Sequence, residues 1–103
     1  MMARVYDKPI TIQRQDEQGQ WSDYASMHAH VNKSQGNEYA DAGAVRSVQT
    51  LAFSVRYDSR MKPIALSTQL YRILYDGGCY NIVDTDDYMQ RHREFEMVGE
   101  SYD

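Results

Sequence analysis

Apolar and polar side chains alternate with a period of two in several separate stretches of this chain, the pattern of strands with one face buried. Between Pro9 and Arg14, Ile10 and Ile12 share one face while Thr11 and Gln13 share the other. The polar run Asp16-Glu17-Gln18-Gly19-Gln20 interrupts the pattern and reads as a turn. A second segment opens at Trp21, with Met27, Ala29 and Val31 facing one way and His28, His30 and Asn32 the other. The cleanest alternation begins at Val48: Leu51, Phe53, Val55 and Tyr57 oppose Ala52, Ser54 and Arg56. Two further runs, Gln69 to Tyr75 and Cys79 to Val83, meet at Asp76-Gly77-Gly78. Asp-Gly and Gly-Gly accept the positive φ of a tight hairpin turn, so these runs are the arms of a β-hairpin. A last strand from about His92 to Val98 sets Phe95 and Met97 against Glu94 and Glu96.

The connections are uneven. From Ser34 to Arg46 there are two glycines, three alanines and no β-branched run. A short helix over Glu38–Ala42 is the regular structure that its alanines favour, but it reads mainly as a long connection. Connections beyond about 12 residues are uncommon in small domains and are often functional. Asp58 to Leu66, with Pro63, reads as a second connection. Asp84 to Gln90 reads as an acidic turn, with one helical turn capped by Thr85 or Asp84 as the alternative. Six strands at fairly even spacing predict a mainly β fold: a small antiparallel β-barrel with one long loop and little helix. With 103 residues, a single domain over 1–103 is expected.

Composition narrows the function. The net charge of −4 argues against a general DNA-binding surface, which rests on clustered Lys and Arg. It is compatible with a passage along which DNA moves without sticking, and equally with ordinary solubility. Nine tyrosines suit a thin barrel wall or a protein interface, since the ring is apolar and the tip polar. Cys79 is the one cysteine, so no intrachain disulfide forms and a reducing compartment is expected; packing is its expected role. MMARVYDKPI lacks the apolar core of a signal peptide. No run reaches the roughly 20 apolar residues of a membrane span, so the expectation is a soluble protein made in the cytosol, with no membrane association.

Candidate chemistry is sparse. His28 and His30, two apart on a strand, could present two metal ligands, with His92 or Asp84 supplying a third, but two solvent-facing histidines account for them as well. Asp84, Asp86 and Asp87 lack the glycine and distal glutamate of a calcium loop. No serine lies in a nucleophile elbow and no glycine-rich phosphate loop occurs. The reading is therefore a non-enzyme with no cofactor and no metal. Arg56 and Arg72 fall in strands and are candidates for contacts with a neighbouring subunit or the DNA backbone, with solvent-facing strand arginines as the alternative.

The ordered set of features resembles the small phage head–tail joining proteins, also known as head-closure or stopper proteins. It comprises the strand Ile10-Thr11-Ile12-Gln13-Arg14, the turn and tryptophan Gly19-Gln20-Trp21, and Ser34-Gln35-Gly36-Asn37-Glu38. It continues with Arg56-Tyr57, the run Arg72-Ile73-Leu74-Tyr75-Asp76-Gly77-Gly78-Cys79-Tyr80-Asn81-Ile82, and Arg93-Glu94-Phe95-Glu96. Met27-His28-Ala29 departs from the resemblance, which often has tryptophan before the alanine. The resemblance implies a barrel that assembles as a ring on the portal and its adaptor at the head–tail junction of the virion. It implies partners in the portal or adaptor ring and the tail-completion protein, and packaged double-stranded DNA nearby without sequence-specific binding. A monomer is expected in isolation. It also implies that the loop between the second and third strands reaches the DNA channel. By position that loop is Gln35, Gly36, Asn37, Glu38, Tyr39, Ala40, Asp41, Ala42, Gly43, Ala44, Val45, Arg46 and Ser47. The alternatives are a tail-completion protein of similar fold and a small OB-like nucleic-acid-binding barrel.

Overall fold

Alternation at this spacing leaves each strand with one apolar face, and closing the sheet on itself hides all of those faces at once without leaving an open edge. The computed structural model, which describes residues 5–33, 49–87 and 93–102, has that solution. Its strands are β1 (Lys8–Gln15), β2 (Trp21–Lys33), β3 (Thr50–Arg56), β4 (Tyr71–Tyr75), β5 (Gly78–Asp87) and β6 (Glu94–Tyr102). They form a closed antiparallel barrel in the order β1-β2-β3-β6-β5-β4. Ile10, Ile12, Ala29, Leu51, Phe53, Val55, Ile73, Ile82, Phe95 and Met97 fill the interior. Near one end Phe53 meets Tyr80 and Tyr75 edge-on, with ring centroids 5.4 and 5.6 Å apart.

The hairpin turn needs two of the three residues read as its tip. Asp76 and Gly77 take φ of 51° and 82°, and Gly78 already pairs with Tyr75. Positive φ at both central positions gives the strands the twist they need. In β6, Gly99 sits where a side chain would be crowded. A Cβ at Gly99 would lie 3.0 Å from the Tyr80 Cβ and 3.1 Å from the Phe53 ring, so glycine here lets the aromatic cluster close.

Several elements differ from the sequence reading. The connection after Tyr57 contains a helix, α1 (Met61–Leu66), followed by a 3-10 turn at Thr68–Leu70. Met61 and Ile64 of α1 are fully buried, so this segment belongs to the core. Pro63 lies in the first turn, where its missing N–H costs no hydrogen bond. The helix start is held by Asp58, whose carboxylate accepts from the Arg60 N–H at 2.8 Å and whose carbonyl accepts from the Met61 N–H at 3.0 Å. Gln69 therefore lies in the 3-10 turn and β4 starts at Tyr71. Asp84–Asp87 are not a turn but the end of β5, paired with Val98 to Phe95 of β6. A bulge makes this possible: Val83 has no partner between the Ile82–Gly99 and Asp84–Val98 pairs. Tyr24 is bulged in the same way between Ala25–Ile12 and Asp23–Gln13. The last strand runs to Tyr102 rather than Val98. Ser54, placed on the polar face by alternation, is nonetheless buried.

Candidate assembly surfaces

The antiparallel pairings sort the connections to two ends. At one end lie the β1–β2 turn and α1, whose burial plugs the barrel. At the other lie the β4–β5 turn and the chain ends Lys33 and Thr50, between which the long connection runs. Lys33 and Leu51 are direct partners, so that connection leaves and re-enters at adjacent points. The loop residues from Gln35 to Ser47, the helix considered over Glu38–Ala42 and the strand start at Val48 all lie outside the described residues, as does His92.

The two strand arginines are on opposite walls, because β3 and β4 are three strands apart around the barrel. Arg56 is exposed and pairs across the ladder with Glu94. Its guanidinium lies 5.4 Å from the centre of the Tyr6 ring, and the Tyr6 hydroxyl donates to the Glu94 carboxylate at 2.7 Å. Val5 approaches His30 through its carbonyl, 3.4 Å from Nδ1. Residues 5–7 thus lie against the side of the barrel formed by His30, Arg56 and Glu94. Arg56 consequently has partners within its own chain.

Arg72 belongs to a different arrangement. Its Nε donates to Gln13 Oε1 at 2.9 Å, and Gln13 Nε2 donates to Asp23 Oδ1 at 2.9 Å. The guanidinium stacks 4.3 Å from the Trp21 ring centre, inside the range of a cation–π contact. Trp21 is half-buried and does not join the core cluster. β1, β2 and β4 therefore hold a flat, oriented Trp–Arg pair on the outer wall. Sequence reasoning singled out Arg72 but not Trp21, Gln13 or Asp23. Gln13 and Asp23 become neighbours only through the β1–β2 register, and the Tyr24 bulge obscures that register.

Charge divides by wall. β5 and β6 carry Asp84, Asp86, Asp87, Glu94, Glu96 and Glu100 with no lysine or arginine. Asp86 directly faces Glu96 across the ladder, an unfavourable like-charge pair. The ion pairs Lys8–Asp7 and Arg60–Asp58 lie elsewhere. At Asp58 the Arg60 guanidinium, 2.7 Å away, holds the carboxyl below its ordinary range. Burial pushes the Tyr80 and Tyr24 hydroxyls up, so both are neutral donors at any physiological pH. Among the described residues no group of three histidine, cysteine or carboxylate side chains could hold a metal ion. Cys79 is a half-buried free thiol in the β5 wall. Among the described residues no helix is long and apolar enough to cross a membrane.

This geometry offers binding walls around a rigid plugged barrel. A family model described as "Phage head completion protein" matches residues 1–101. No curated protein matches the chain.

Proposed function

The chain belongs to the phage head completion protein family, and from that premise we propose that it closes the DNA channel of the packaged head as a ring on the portal or adaptor and offers the tail its attachment surface. The observation that carries this reading is the extent of the match, which takes in every strand of the barrel and the long β2–β3 connection. In this reading the role is structural and non-catalytic, and the protein resides at the head–tail junction of the virion. Gln35–Ser47 serves as the channel-facing segment, anchored at one barrel end by Lys33 and Thr50. Arg56 and Arg72 contribute to walls that meet neighbouring subunits. The acidic β5–β6 wall and the overall negative charge suit a part that stays near DNA without gripping it.

The OB-like alternative needs aromatic rings exposed along a basic groove. Here Tyr71 and Tyr80 are buried in the core, and Tyr24, Tyr57 and Tyr75 pack against it. Those five rings are thus spent on the barrel itself. The functional reading is tested by electron microscopy of particles made by a phage or prophage lacking this gene. Tailless heads that lose their DNA are expected, with free, complete tails alongside. Normal DNA-filled heads beside defective tail ends would assign the chain to tail completion instead.

A further inference from the structure

We propose that residues 5–7 are an exchangeable arm: in the ring, the Val5-Tyr6-Asp7 segment of each copy leaves its own barrel and seats on the His30–Arg56–Glu94 side of the next. The inference rests on the ring reading above and names a contact that links the subunits.

Three observations lead to it. First, the arm lies outside the barrel wall. The β1 ladder begins at the Lys8–Ala29 pair, so the six strands close without residues 5–7. Val5 keeps 62% of its surface in solvent, so it adds little to the core of its own copy. Second, the seat fits this segment and is built on strands other than the one that carries it. Arg56 of β3 lies 5.4 Å from the Tyr6 ring centre, Glu94 of β6 accepts from the Tyr6 hydroxyl at 2.7 Å, and His30 of β2 meets the Val5 carbonyl at 3.4 Å. A ring against a guanidinium and a hydroxyl on a carboxylate together select a tyrosine, and a second copy supplies the identical one. Third, the hinge is open to solvent. Asp7 and Lys8 are exposed, and Pro9 favours an extended Lys8, so the arm swings about Asp7 while β1 stays in its ladder.

Exchange replaces each contact by its equal, which makes it a low-cost way to link copies. Assembly on the portal supplies the proximity that turns the neighbour's seat into a competitor for the copy's own. In a closed ring each copy gives one arm and receives one, so no seat stays empty. An isolated copy has its own seat alone, in keeping with a monomer. Three extended residues span about 10 Å, so adjoining barrels meet beside the start of β1. Arg56 then contacts the neighbouring subunit through the exchanged Tyr6.

The test is cross-linking in full-length chains that complement the gene-null phage. Val5→Cys and His30→Cys, with Cys79→Ser to remove the native thiol, place one thiol on the arm and one at the seat and leave Tyr6, Arg56 and Glu94 intact. A short bis-maleimide should join the two within single copies of the purified chain. In DNA-filled heads the same reagent should give a ladder of linked copies on a denaturing gel. Tyr6→Ala should lower the copies retained per head, counted by quantitative mass spectrometry, about tenfold. Circular dichroism verifies that it folds, and Tyr6→Phe, which loses the bond to Glu94 alone, replaces it if it does not. Links confined to single copies in heads that hold the chain, or a folded Tyr6 variant retained like wild type, would overturn the exchange while leaving head completion standing. Absence of the wild-type chain from heads would instead sink the functional reading.

Discussion

Removal of residues 36–44 is expected to yield heads that package DNA, then lose it and fail to join tails, with infectivity falling to the level of the gene-null phage. The barrel should be unaffected. Lys33 and Leu51 are ladder partners, so a connection about half as long still spans the gap. Halving a loop changes its closure entropy by only about 0.6 kcal/mol, in the stabilising direction. The excised chain should therefore melt within a few degrees of wild type, and a loss of function with a preserved melting temperature would isolate the segment's role from folding. DNA-filled heads that keep their genome and join tails despite the excision would remove Gln35–Ser47 from the mechanism.

Phe53→Ala should have the largest effect on stability. Phe53 is fully buried, packs edge-on against Tyr75 and Tyr80, and lies close against Gly99, where a Cβ would come within 3.1 Å of its ring. Truncating such a ring costs about 3–5 kcal/mol, a large part of the roughly 5–15 kcal/mol that holds a domain together. Each kcal/mol lowers the melting temperature by about 4–8 °C at this size. The variant should be largely unfolded at growth temperature and recover on cooling, giving a temperature-sensitive phage. Thermal denaturation followed by circular dichroism measures the shift, and a fall of only a few degrees would mean that the aromatic cluster does not anchor the barrel.

These two effects separate what holds the fold from what performs the function, and legibility in the sequence divides along a similar line. The core face of β3, Leu51-Phe53-Val55, and the Asp76-Gly77 turn were readable because period and turn chemistry are local properties. Six strands and a barrel followed from them. Neither bulge is legible, since an extra residue at Tyr24 or Val83 shifts the alternation without any composition signal. Three carboxylates between Asp84 and Asp87 read as a loop, although the Val83 bulge carries them on as the end of β5, with Asp84 and Asp86 on its outer face. Helix α1 was hidden for a different reason. Six residues give too little periodicity to register, and Pro63 reads as a breaker unless it is known to lie in a first turn. Ser54 is buried although alternation puts it on the polar face, and no local pattern reports that. The Trp21–Arg72 pair was half visible. Arg72 is legible as a strand arginine, but its partners come from β1 and β2, and their alignment depends on barrel closure.

The account's central claim is that this barrel occupies the head–tail junction as a ring. An electron cryomicroscopy reconstruction of that vertex in infectious particles tests it most directly. The account predicts a ring of six-stranded barrels between the portal or adaptor and the tail, with the 34–48 connection directed at the DNA channel. Density for the barrel on the tail side alone, or its absence from the vertex, would contradict it.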